Sequence, residues 1–144
     1  MQRTVIEMPA QSMTNDRTRT ALRWILALFY ATAGIVHLRS PGGFLPIVPD
    51  WVPFPREVVL GTGVAEIAGA IGLLTSRFRV AAGWALAAYA VAVFPANIKH
   101  AVYGVEVAGM TLGWWYHGPR LALQPVLVWW ALWCSGAVGS PKRA

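Results

Sequence analysis

The sequence predicts an all-α protein, a transmembrane four-helix bundle with a proline-rich extracytoplasmic cap. Three observations predict it. Four apolar stretches of 18 or 19 residues recur along the 144-residue chain, each close to the ~20 a helix needs to cross a bilayer. Charged residues make up 12% and hydrophobic residues 56%, with mean hydropathy +0.49. A soluble domain carries about 25% charged residues, so this chain lacks the means to cover a soluble surface. Finally, backbone groups in hydrocarbon must bond within their own segment, which makes the stretches helices rather than strands. The length argues for one domain, and the low charge excludes disorder.

Residues 1–20 are polar and read as a mobile cytoplasmic tail, with no apolar core ahead of a cleavage site and hence no secretory signal peptide. The first span is expected over about 21–38. Residues 39–57 then hold Pro41, Pro46, Pro49, Pro53 and Pro55. Proline lacks an amide donor, so no regular helix forms there. The same segment carries Phe44, Leu45, Ile47, Val48, Trp51 and Phe54, and is expected to lie as a structured cap on the membrane interface. The second and third spans, about 58–76 and 80–98, are separated only by Arg77, Phe78 and Arg79, and so form an antiparallel hairpin. Residues 99–120 make a second long connector, with Trp114, Trp115 and Tyr116 suited to the headgroup region. The fourth span is expected over about 121–138, leaving 139–144 as a second cytoplasmic tail. Pro95 and Pro125 are expected to kink or end their helices.

With both termini on one side, that side holds Arg3, Arg17, Arg19, Arg23, Arg77, Arg79, Lys142 and Arg143; the other holds Arg39, Arg56, Lys99 and Arg120. Eight against four, or seven without the distant Arg3, places both termini in the cytoplasm. The net charge of +6 therefore fits a membrane orientation better than nucleic acid, and no nucleic-acid partner is expected.

Polar residues inside apolar spans carry the functional signal. Glu66 lies mid-span, where a carboxylate is expensive and is usually paired or functional. Its helical neighbours Thr62, Gly63, Gly69 and Ala70 are small, and Gly61, Ala65 and Gly69 repeat a small residue every four, the pattern of a close-packing seam. Glu66 thus points into the bundle, either as structural glue or as a ligand or proton group. His37, Asn97, His100, Arg120 and Gln124 gather at the outer ends of the other spans. Each alone reads equally as a cap or a snorkelling side chain; together with Glu66 they suit a ligand pocket. Glu66 is expected opposite His37 and in one network with Gln124 or Arg120, with an occupant bridging the difference in depth. His37, His100 and His117 show no helical metal spacing, so no metal is expected. The one cysteine, Cys134, excludes an internal disulfide and dithiol chemistry. Trp129, Trp130 and Trp133 read as packing or lipid contacts.

Four segments in order carry a family resemblance: AGIVHLRSPGGFLPIVPDWVP (33–53), GVAEIAGAIGLL (63–74), AVFPANIKHAVYG (92–104) and GPRLALQPVLVWW (118–130). Over residues 21–137 the chain resembles the DoxX-like family of small integral membrane proteins. The resemblance implies a four-helix membrane bundle with a short outward cap, and recurrent polar positions at His37, Glu66, Pro95, Asn97, Arg120 and Gln124. It also implies a redox-linked membrane subunit, since some relatives belong to thiosulfate–quinone oxidoreductases, or an assembly factor for a client protein. The expected ligand is then a quinone or another lipophilic small molecule, and the expected partners are membrane lipids, a possible protein client and a second copy of the chain. A bacterial inner membrane is the expected location.

Overall fold

The computed structural model describes residues 10–104, 106 and 111–139. Among them the protein is all-helical: α1 (Ala10–Arg39), α2 (Pro55–Leu74), α3 (Arg79–Ala92), α4 (Phe94–Tyr103), α5 (Trp114–Ala122) and α6 (Gln124–Ser135). Two short 3-10 turns, Pro41–Gly43 and Leu45–Ile47, form the segment between α1 and α2. Three helical stretches are long and apolar enough to cross a membrane: Asp16–Arg39, Pro55–Leu74 and Arg79–Tyr103. Their outward faces are greasy, with Leu28, Val64, Ile71 and Val91 each more than half exposed.

The expected tail over 1–20 is corrected from residue 10 onward, where helix has already begun. No proline or glycine interrupts residues 10–33, so nothing stops the helix from extending back. Arg19 and Arg23 also tie this extension to the end of α6. Arg23 Nε donates to the Cys134 carbonyl at 2.9 Å, Arg19 donates to the Val138 and Gly139 carbonyls, and the Arg19 guanidinium lies over the Trp133 ring. Cations at a helix C-terminus meet its unpaired carbonyls and its dipole favourably. Residues 1–9 and 140–144 lie outside the described residues.

The third and fourth expected spans are each divided. Pro95 and Pro125 stand at the second position of α4 and α6, just after breaks at Val93 and Leu123. The missing amide is tolerated there because the first helical turn has no partner for it. Hydrogen bonds bridge both breaks, Val93 to Tyr89 and Asn97 to Val93 in one, Leu123 to Pro119 and Leu127 to Leu123 in the other. A further difference is α5, which folds within the expected second connector. The last helix stops at Ser135 and not at 138, because Gly136 adopts φ 84° and the Ala137 amide folds back onto the Leu132 carbonyl, a C-terminal motif that needs a left-handed residue.

Packing runs α1 on α2, α2 on α3, α3 on α6 and α6 back on α1. Leu26, Tyr30, Leu73, Leu86, Ala131 and Cys134 lie at its buried centre. Glycines set the approaches, though not all those expected. A Cβ on Gly34 would stand 2.6 Å from the Gly63 carbonyl oxygen, and one on Gly63 2.9 Å from that of Gly34. Gly69 takes the Leu86 side chain. Gly61, by contrast, faces open space and Ala65 is exposed. The α1–α2 seam is therefore Gly34–Gly63; of the Gly61–Ala65–Gly69 series, Gly69 packs inward and Gly61 and Ala65 face outward.

Candidate functional site

The close crossing of α1 and α2 puts His37 beside Glu66. Glu66 is 4% exposed. Its Oε2 lies 2.8 Å from His37 Nδ1, and its Oε1 accepts the Tyr89 hydroxyl at 2.8 Å. His37 Nδ1 also lies 3.0 Å from the Ala33 carbonyl oxygen. A carbonyl only accepts, so Nδ1 is the protonated nitrogen. Both carboxyl oxygens then receive donors, the arrangement an ionised carboxylate needs. The His37 ring rests on Phe44 of the cap, centroids 4.2 Å apart.

Tyr89 was not singled out from sequence, although a signal exists. Across the α2–α3 hairpin, Glu66 lies eight residues before Leu74 and Tyr89 ten after Arg79. At ~1.5 Å per residue those are depths of about 12 and 15 Å, close enough to meet.

A second polar centre joins α4 to α5 and α6. Asn97 Nδ2 donates to Gln124 Oε1 at 3.1 Å; Arg120 donates to Asn97 Oδ1 at 2.5 Å and to His100 Nδ1 at 3.0 Å. Gln124 Nε2 donates to the Ala90 carbonyl, whose usual i+4 amide partner lies across the break at Val93. Gln124 thus bonds the end of α3 beside the break, while Asn97 serves Gln124 and Arg120. Asn97, His100 and Gln124 are all buried. His117 stands behind His100, ring centroids 4.5 Å apart, and donates from Nε2 to the Leu112 carbonyl.

Both centres face one cavity of about 770 Å3, within the range of small-molecule sites. His37, Glu66, Asn97, Arg120 and Gln124 reach its wall, as does Tyr89; His100 does not, and acts from behind Arg120. The rest is mostly apolar, including Val48 and Trp51 from the cap. Trp130, also on the wall, has a buried indole Nε1 with no partner among the described residues. Among the described residues no hydrogen bond joins Glu66 directly to Gln124 or Arg120, and all three line the same cavity. No cluster of three or more His, Cys, Asp or Glu with metal-binding geometry occurs among the described residues.

Fold and site together define an all-helical protein with three membrane-length apolar stretches and a largely apolar cavity faced by two polar centres. The chain belongs to the family described as a domain of unknown function, DUF8561, whose model matches residues 26–135. No curated protein and no solved structure matches the chain.

Proposed function

We propose that this is a redox-linked membrane subunit that binds a quinone or another lipophilic small molecule in an outward-facing pocket. In this reading four helical segments span a bacterial inner membrane, the fourth formed by α5 and α6 together, with both termini cytoplasmic. The DoxX-like resemblance, the Lys and Arg distribution and the apolar outward faces support that topology. The observation that carries the function is the cavity: apolar walls, with hydrogen-bonding groups only at a few points, as lipophilic ligands require. Trp130 Nε1, lacking an acceptor, suits a ligand carbonyl, since buried indole N–H groups usually find one. Glu66, His37 and Tyr89 form a short hydrogen-bonded chain able to pass protons to a reduced quinone; electrons would come from a partner redox protein.

Extraction and mass spectrometry of the purified protein tests the reading. A co-purified quinone or other lipophile is expected, and Glu66→Gln should keep the fold while weakening its retention. An empty extract, together with no binding of added quinone, would overturn it. The exposed aromatics Trp51, Phe54, Tyr103 and Trp115 favour a second reading, an assembly factor that holds a client at its outer end. Crosslinking there should return one reproducible client; lipids alone would remove this reading. Exposed Gly61 and Ala65 offer a close-packing face for self-association, which a clean monomer in nanodiscs would contradict.

A further inference from the structure

The two centres on the cavity wall are satisfied to different degrees. Glu66 has His37 for a partner at 2.8 Å. Arg120 is held only by neutral acceptors, Asn97 Oδ1 and His100 Nδ1. The aromatic ring of Tyr116 completes its surroundings, 5.8 Å from the guanidinium carbon. No carboxylate lies within ion-pair distance of Arg120 among the described residues; the close acid–base contacts there are His37–Glu66 and Lys99–Asp50. A guanidinium is always charged and carries five N–H donors. Two bonds account for two of them. The rest of the fork remains on a side chain that contributes to the cavity wall, fixed in place by two hydrogen bonds. Arg120 is half-buried with no acidic partner, and a planar fork held ready matches two acidic oxygens at once.

We infer that the ligand of this cavity is an anionic lipophile, with an acidic oxygen head seated on Arg120 and an apolar tail along the cavity walls. The inference rests on reading the cavity as a ligand site, and narrows the class of ligand it takes. His100 and Asn97 act as positioning residues that aim the guanidinium. The head is a carboxylate or a phosphate monoester; both present paired acidic oxygens to the fork.

The test uses the full chain in phosphatidylcholine nanodiscs and four probes: oleate, oleyl phosphate, oleyl alcohol and decyl-ubiquinone. The first three share a tail and differ in the head. Oleate or oleyl phosphate should bind at least tenfold more tightly than oleyl alcohol, and whichever binds tighter identifies the head. Arg120→Gln should cut that preference below threefold by lowering affinity for the acids more than for oleyl alcohol. Arg120→Lys should restore most of it. Equal affinity for acid and alcohol, or a preference untouched by Arg120→Gln, would overturn the inference and mean that Arg120 merely meets lipid headgroups. Decyl-ubiquinone distinguishes the two levels of the argument. If it binds while the acids show no preference, the cavity keeps its proposed function and loses its anionic ligand. If none of the four binds, both readings fail.

Discussion

Two polar centres line one cavity, and they close their charge in different ways. Around Glu66 each carboxyl oxygen has a donor, and the donors come from two other helices, His37 on α1 and Tyr89 on α3. Around Arg120 the fixed partners are neutral and come from α4. The first centre is a closed tie among three helices and is satisfied by the chain itself. The second holds a cation in position without neutralising it. Each oxygen of Glu66 meets a donor from the chain itself, whereas Arg120 keeps donors unused on the cavity wall, so the second centre points to something outside the chain. This is a reason to look for function at Arg120 as much as at Glu66, the residue that stands out in the sequence.

The largest effect that tests this contrast is expected at His37. Replacing it with leucine strands a buried carboxylate, which costs about 3–5 kcal/mol in comparable buried pairs. Thermal unfolding should therefore show a large drop for His37→Leu, and His37→Leu with Glu66→Leu should recover most of it. If the single change costs less than about 1 kcal/mol on the same scale, Glu66 is not held as an ion and the contrast between the centres collapses.

Tyr89→Phe should come next. It removes one hydrogen bond to a charged acceptor, typically ~1.5–3 kcal/mol, and the low end is expected because His37 remains on the other oxygen. Denaturation of the variant checks the size. Gln124→Leu should cost about 1–3 kcal/mol, because it leaves the buried Ala90 carbonyl and the Asn97 amide without their partner. The difference between the centres should appear in ligand binding: Tyr89→Phe should leave the preference for an acidic head intact, and Gln124→Leu should weaken it by loosening Asn97. Loss of that preference in Tyr89→Phe would mean that the head sits at Glu66 and not at Arg120.

How much of this was legible in the sequence follows from what each signal depends on. Apolar length is local, so the stretch Pro55–Leu74 was readable to within a few residues, whereas the first stretch begins earlier and the third ends later than expected. Proline acts on its own helix, so the breaks near Pro95 and Pro125 were readable as well. Glu66 and His37 stand out because charge is rare in apolar runs. A small-every-four pattern identifies a face but not the partner. Gly34 on α1 decides which face of α2 is approached, and only the crossing shows it. Tyr89 was missed because a tyrosine in an apolar span looks like any aromatic until its depth is matched with that of Glu66. The gap between the two centres was legible as a difference in depth along the helices, whereas the residues that wall the cavity come from several elements and cap turns whose packing no spacing encodes.

The smallest stability effect is expected at the cap, although the functional consequence there should be larger. Lys99 on α4 donates to the Val48 carbonyl at 2.7 Å and to Asp50 Oδ1 at 2.7 Å. The Asp50 side chain is 95% exposed, so water and salt screen that ion pair and it contributes little. The bond to Val48 is the one that matters, because Val48 is part of the cavity wall. Phe54 ends the cap at φ 52°, a conformation that costs a non-glycine residue about 1–3 kcal/mol and that the following Pro55 restricts further. The cap is thus tethered at one point and strained at another. Asp50→Asn should leave both stability and ligand release unchanged. Lys99→Met should lower stability by less than about 1 kcal/mol, yet raise hydrogen exchange across residues 44–52 and speed ligand dissociation. Equal effects from the two substitutions would show that the exposed ion pair, and not the carbonyl bond, holds the cap. No effect from either would show that the aromatic contact between His37 and Phe44 holds it, tying the cap to the Glu66 centre instead of to α4.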